Sequence, residues 1–242
     1  YTVGAGLVQI YTASENRLAL QELLPEAIIS CYDSYDDSQL SHLLDWADVV
    51  CIGCGLGMGQ ISEKILTYVL KNISCPCVID ADGLNLLSRN IDLLNQCGTP
   101  VILTPHMKEM SRLTGWSIDK IMEDRFQALD QIIKQSGPDT KSSIICVLKD
   151  SRTVVAQTNR QKFVNLAGNN SMAKGGSGDV LAGTITGLLA QHMAPFEAAA
   201  VGVFLHACGG DEAKKSKGSY SVLARDLIQG MADAMKNAKE CR

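Results

Sequence analysis

Short apolar runs that stop at glycine or proline turns alternate with stretches whose apolar residues recur every three to four positions, and few architectures accept that pattern. Ala47 to Ile52 is one such run, ending at Gly53-Cys54-Gly55-Leu56-Gly57, and a helical pattern with Ile61, Ile65, Tyr68 and Val69 on one face follows it. Cys77 to Ile79 ends at Asp80-Ala81-Asp82-Gly83, ahead of a helix expected over Leu84 to Leu94. Val101 to Leu103 stops at Thr104-Pro105, with helices expected around Glu109 to Leu113 and over Ile118 to Lys134. Gly137-Pro138-Asp139 reads as a surface turn and Ser143 to Leu148 as another buried strand. Thr153 to Gln157 and Phe163 to Leu166 are rich enough in β-branched residues for a hairpin. Helices are then expected over Ser177 to His192, Pro195 to Ala213 and Val222 to Asn237. Strands alternating with helices predict an α/β fold whose largely parallel sheet carries helices on both faces.

The 242 residues, 46% of them hydrophobic, suffice for one large domain, and no repeat or linker divides residues 1–242. A net charge of −4 argues against a nucleic-acid partner, which favours a basic surface. No uncharged apolar run reaches the ~18 residues of a membrane span, and Tyr1 to Ile10 lacks the pattern of a secretory signal. Several of the nine cysteines, Cys51 and Cys146 among them, sit inside apolar runs and read as small buried hydrophobes. Free thiols point to a reducing compartment, the cytoplasm. The close pairs Cys51/Cys54 and Cys75/Cys77 have no histidine near them to complete a zinc set and read as structural thiols.

The strongest local signal is Asn169-Asn170-Ser171-Met172-Ala173-Lys174-Gly175-Gly176-Ser177-Gly178-Asp179, which leads into a helix bearing Leu181, Ile185, Leu188 and Leu189 on its apolar face. Glycines at a helix entry let backbone approach a ligand, and the unpaired N–H groups of the first turn favour an anion such as a phosphate. A carboxylate beside such a cradle repels phosphate, so Asp179 needs a purpose. It can take the proton of a hydroxyl that attacks phosphorus. It can equally be an ordinary helix-start aspartate, and the motif alone does not choose.

A late Gly-x-Gly-Asp at a helix start resembles the anion hole of the ribokinase-like kinases. Val78-Ile79-Asp80-Ala81-Asp82-Gly83-Leu84-Asn85, Leu103-Thr104-Pro105-His106-Met107-Lys108-Glu109-Met110, Met172 to Gly183 and Leu205-His206-Ala207 together resemble the NAD(P)H-hydrate dehydratase family of that superfamily. The likeness runs from Gly4-Ala5-Gly6-Leu7-Val8 to the helix near Arg225. It implies a ribokinase-like three-layer sandwich that uses ADP or ATP, with Mg2+, to dehydrate the S-epimer of hydrated NADH or NADPH, with Asp179 as the catalytic base. It implies that Gly55, Gly57, His106, Glu109, Arg112 and Asp179 meet the substrate, Glu109 also orienting a hydrated magnesium. Lys149, Asp150, Ser151, Arg152 and Thr153, with Asn169, Lys174, Gly175, Gly176, Ser177 and Gly178, would meet the nucleotide. It further implies a homo-oligomer, up to a tetramer, and an epimerase acting on the same damaged cofactor as partner or fused domain. On residue type alone, His106 reads as a surface histidine and Glu109 as an ordinary helical residue.

The sequence departs from the family pattern in three places. Asp150 stands where family members usually carry glycine, and its charge is expected to work against a phosphate. Asn170-Ser171 replaces the more usual proline-glycine-type turn ahead of Met172. The family's first strand and glycine-rich turn would precede Gly4, so residues are expected in front of Tyr1. Two other functions share these motifs: a vitamin-precursor type kinase with the same anion hole, and a nucleotide sensor that binds without turnover.

Overall fold

The computed structural model describes residues 1–134, 143–158 and 162–240, so the turn expected at Gly137-Pro138-Asp139 lies outside the described residues. The chain opens with β1 (Gln9–Ala13), α1 (Arg17–Leu23), β2 (Ile28–Tyr32) and α2 (Asp37–Trp46), in which β1 and β2 pair in parallel as a small separate sheet. These two strands carry little contrast in sequence: every residue of β1 is half-buried, so no clean inside–outside alternation marks it.

The main sheet follows in chain order: β3 (Val50–Ile52), β4 (Cys77–Ile79), β5 (Val101–Leu103), β6 (Ile144–Leu148), β7 (Val154–Gln157) and β8 (Phe163–Val164). The first four run parallel, and β7 and β8 return antiparallel as the expected hairpin. Parallel neighbours need crossovers, supplied here by α3 (Gln60–Asn72), α4 (Ala81–Leu87) and the group α5 (Met107–Thr114), α6 (Ile118–Glu123) and α7 (Arg125–Ile133). After β8 come α8 (Ser177–Ala190), α9 (Pro195–Ser221) and α10 (Ala224–Glu240).

Successive side chains of a strand point to opposite faces, and the two cores divide accordingly. Cys77, Ile79, Val101, Leu103, Ile144, Cys146 and Leu148 join one cluster with residues of α2 to α7, among them Leu66, Leu70, Leu87 and Leu129. Val78, Ile102, Ile145, Val147 and Val155 join the other with Leu181, Ile185 and Leu189 of α8 and Ala199 and Val203 of α9. Helix, sheet and helix make three layers. Outside α9, α10 packs closely: a Cβ on Gly230 would stand 2.1 Å from the Gly209 carbonyl oxygen.

Several element bounds differ from the sequence expectation for local reasons. The helix expected over Leu84 to Leu94 splits, because Asn90 leaves helical geometry (φ −151°) before a short 3-10 turn at Ile91–Gln96. The stretch Ile118 to Lys134 breaks at Asp124 (φ −142°), whose carboxylate caps α7 by accepting from the Gln127 N–H at 2.8 Å. The helix expected to end at Ala213 runs on to a kink at Gly218, which is non-helical (φ 75°, ψ 168°), and a last short piece ends at Ser221.

Candidate active site

The carboxyl ends of β3, β4, β5 and β6 lie side by side, and the turns leaving them assemble the site, as expected for an open parallel sheet. The turn after β3 packs directly on the turn after β4. Gly53, at φ 123°, allows this: a Cβ there would stand 1.9 Å from the Asp80 carbonyl oxygen. Gly55 and Gly57 follow at φ 69° and 79°, and the Gly57 N–H donates to Asp82 Oδ2 at 2.9 Å. Left-handed geometry, more than lack of space, is what favours glycine at those two positions.

Asp80 is the hub. It is 1% exposed, caps α4 by accepting from the Ala81 N–H at 2.8 Å, and its Oδ1 also accepts from Lys149 Nζ at 2.6 Å. Its neighbour Ala81 holds φ 49°, a left-handed conformation rare outside glycine, asparagine and aspartate. Lys149 leaves the end of β6 and reaches the start of α8 as well, since a Cβ on Gly178 would stand 3.2 Å from its Nζ. Asp179 is exposed, and one oxygen of its carboxylate, one of Asp80 and the Cys54 thiol lie within 4.8 Å of one another. Gly175 and Gly176 are open to solvent, and Gly176, at φ 84°, is the residue from which α8 starts. A glycine-lined helix entry, an ammonium and a carboxylate therefore share one surface. This arrangement can hold a phosphoryl group and take a proton beside it.

The remaining candidates occupy its rim or do other work. His106 caps α5: its Nδ1 accepts from the Lys108 and Glu109 N–H groups, and Glu109 Oε2 accepts from the His106 N–H at 2.8 Å. Glu109 Oε1 lies 3.3 Å from His106 Nε2, so both oxygens of this buried carboxylate have partners, and burial raises its pKa. The His106 backbone runs parallel beside Lys149, whose N–H donates to the Pro105 carbonyl at 2.8 Å. Arg112 is exposed and donates to Asn85 Oδ1 at 2.6 Å, tying α5 to α4.

Asp150 pairs with Arg125 at 2.8 Å, so the charge expected to oppose a phosphate is offset by a guanidinium of α7. Thr153 Oγ1 donates to the Asp150 carbonyl at 3.2 Å, and Ser151 accepts from Arg152, which lines a shallow concavity with Phe126, Val154 and Val164. Asn169 braces the glycine loop: its Nδ2 donates to the Gly210 carbonyl at 3.0 Å and to Asp211 Oδ1 at 2.7 Å, and its Oδ1 accepts from Ser171. Lys174 Nζ donates to the Tyr220 carbonyl at 3.3 Å. Ser177 Oγ lies 3.4 Å from Nε2 of the buried His206, whose pKa burial lowers to about 4.

Residues 1–232 match the family model described as NAD(P)H-hydrate dehydratase. The chain belongs to the NAD(P)H-hydrate dehydratase family. It is 38% identical over 225 residues to the "Bifunctional NAD(P)H-hydrate repair enzyme Nnr" of Escherichia coli, covering 93% of this chain and 41% of that protein. It is 35% identical over 222 residues to the "ADP-dependent (S)-NAD(P)H-hydrate dehydratase" of Neisseria meningitidis, covering 90% of this chain and 73% of that one. The ADP/ATP-dependent NAD(P)H-hydrate dehydratase of Bacillus subtilis, co-crystallised with ATP and Mg2+, superposes with a TM-score of 0.81 at 27% identity, over 98% of this chain and 83% of that one. A ribokinase-like superfamily protein of Enterococcus faecalis does so with a TM-score of 0.79 at 31% identity, over 98% of this chain and 78% of that one. The chain spans between 35% and 44% of the length of five bifunctional relatives it matches.

Within this member of the family, the residues that sequence reasoning missed are Asp80, Cys54 and Asp211. Asp80 carried a usable signal, as a charged residue directly after a wholly apolar strand. Cys51 is corrected: both it and Cys54 are exposed, whereas Cys75, Cys77 and Cys146 are buried as expected. Cys51 is the middle residue of a strand only three residues long, near the sheet's open edge, so an apolar neighbourhood in sequence does not bury it.

Proposed function

We propose that the protein dehydrates the S-epimer of hydrated NADH or NADPH, using ADP or ATP as phosphoryl donor. One observation carries the reading: the Asp179 carboxylate stands at the glycine-lined entry of α8, close to Asp80, with Lys149 reaching the same helix start. The terminal phosphate lies over Gly175 to Gly178, held by N–H groups of the first turn and by the Lys149 ammonium. Asp179 accepts the proton of the ring hydroxyl as that oxygen takes the phosphoryl group. The ring nitrogen's electron pair then expels phosphate as the C–O bond breaks, and the neighbouring ring carbon loses a proton to water, which restores the ring double bond of the dihydropyridine. Oxygen donors suited to Mg2+ exist there in the carboxylates of Asp179 and Asp80, and the ion, when bound with nucleotide, would offset charge on the phosphate oxygens.

The names of the relatives support ADP as a donor, and the Bacillus subtilis protein supports either nucleotide. The neutralised Asp150 supports nucleotide binding at the β6–β7 turn. Exposed Val201 and Phe204 on α9 support a homo-oligomer. The bifunctional relatives support an epimerase as fused or separate partner. No helix among the described residues is long and apolar enough to cross a membrane; with the free thiols, this supports a cytoplasmic location.

The test supplies hydrated NADH with ADP or ATP and follows recovery of the reduced-ring absorbance. Asp179→Asn should fold normally, since the side chain is exposed, and lose about 10²-fold or more in turnover. A stable phosphorylated product without recovered absorbance would identify a kinase instead, and tight nucleotide binding without turnover a sensor. Near-normal turnover in the variant would remove Asp179 from its role.

A further inference from the structure

Cys51 and Cys54 close a Cys-Ile-Gly-Cys turn at the end of β3, and the function proposed above leaves both unused. Both are free and exposed, three residues apart across one tight turn, and their sulfurs lie close enough to perturb each other. Thr186 of α8 lies beside Cys51, while the Cys54 sulfur stands within 4.8 Å of oxygens of Asp80 and Asp179. We propose that Cys51 and Cys54 form a reversible disulfide that switches this site off under oxidation. The switching rests on the proposed function; the bond itself does not.

The chemistry balances with a peroxide as oxidant. The Cys51 thiolate attacks a peroxide oxygen, the O–O bond breaks, and hydroxide leaves a sulfenic acid on Cys51. Cys54 sulfur then attacks that sulfur, the S–S bond forms, and water leaves with the Cys54 proton. Two thiols are oxidised and one hydrogen peroxide is reduced to two waters; a dithiol reverses the change by exchange. The Asp80 and Asp179 carboxylates beside the Cys54 sulfur disfavour a second negative charge there, whereas Cys51 lies outside that cluster, so Cys51 is the attacking partner. Bond formation draws the Cys54 sulfur toward Cys51 and away from the two carboxylates. The turn carrying Gly55 and Gly57 is then pinned in a second conformation. Gly53, wedged against the Asp80 carbonyl, transmits any shift of that turn to the hub of the site.

The full chain, reduced and then treated with hydrogen peroxide, is alkylated, digested with trypsin and mapped by mass spectrometry. The peptide Leu18 to Lys64 should lose two hydrogens between Cys51 and Cys54, with its third cysteine, Cys31, still alkylated. Dithiothreitol should restore both thiols. Cys51→Ser should abolish the cross-link, and Cys54→Ser should leave a Cys51 sulfenic acid that dimedone traps. Oxidation that falls first on Cys31 or Cys208, or that takes Cys54 to a sulfinic acid without a cross-link, overturns the proposal. So does a fully cross-linked protein that turns over hydrated NADH as fast as the reduced one. If the reduced protein shows no dehydration at all, the functional reading fails while the mapping still decides the bond.

Discussion

Replacing Lys149 by methionine should destabilise the protein far more than an exposed ion pair allows, because its partner has nowhere to go. Asp80 is 1% exposed and Lys149 side-chain exposure is 18%, with Nζ and Oδ1 2.6 Å apart. Removing one member of a buried pair strands the other charge, at a cost of about 3–5 kcal/mol. Asp80 keeps the Ala81 N–H at 2.8 Å, so the lower end, about 3 kcal/mol, is expected for Lys149→Met. Asp80→Asn should cost less, since the freed ammonium can turn its head to water along a flexible stem. In the double variant no stranded charge remains, and the amide oxygen that replaces the carboxylate can still accept from the Ala81 N–H. Its loss should fall well short of the sum, by about 2 kcal/mol of coupling. Urea denaturation of the four proteins at neutral pH, followed by far-UV circular dichroism, gives all the terms. A Lys149→Met loss below about 1 kcal/mol would mean a solvent-screened pair, and strict additivity would mean that the two side chains do not depend on each other. Either result refutes Asp80 as the buried hub of the site.

Gly53→Ala and Gly55→Ala test whether space or backbone conformation sets the glycine turn. The first places a Cβ 1.9 Å from the Asp80 carbonyl oxygen and should cost about 3 kcal/mol or more, whereas the second meets open space at φ 69° and should cost about 1 kcal/mol; equal losses in thermal or urea denaturation would discount the packing of the two turns. His206 has its pKa lowered from 6.5 to about 4, so the unfolded chain takes up a proton that the folded one refuses. Its contribution is intact above pH 6.5 and is lost as pH falls toward 4, reaching about 3 kcal/mol in all. A stability–pH slope between those values that is unchanged in His206→Gln would show that His206 is not the buried neutral group.

The three-layer core was legible because strands and helices carry different periods. Val78 and Ile102 had to face away from Cys77, Ile79, Val101 and Leu103, and both faces are apolar, which only helices on both sides can cover. The small sheet was not legible, since β1 is half-buried throughout, β2 is so apart from the exposed Ile28, and Tyr11, Ser30 and Cys31 show no preferred face. Helix breaks at Asn90 and Asp124 escaped as well: a single polar residue can leave helical geometry without a glycine or proline to mark it.

The site divides along a similar line. Its backbone parts were readable, because Gly175, Gly176 and Gly178 leave the entry of α8 without side chains, which suits the approach of an anion. Its side-chain pairings were not, because they join residues distant in sequence. Lys149 is 69 residues from Asp80, and nothing near either one announces the other. Asp150 is the sharper case. Its charge, judged locally, counts against a phosphate, yet Arg125 of α7 lies 2.8 Å away and offsets it. Asn169 is the converse: beside a glycine loop it reads as a ligand contact, yet its amide is engaged by Gly210, Asp211 and Ser171. Such an asparagine fixes the loop's shape, and an anion would be left to the loop's backbone. Sequence can thus say where a phosphate would sit, while the fold decides which charges are free to meet it.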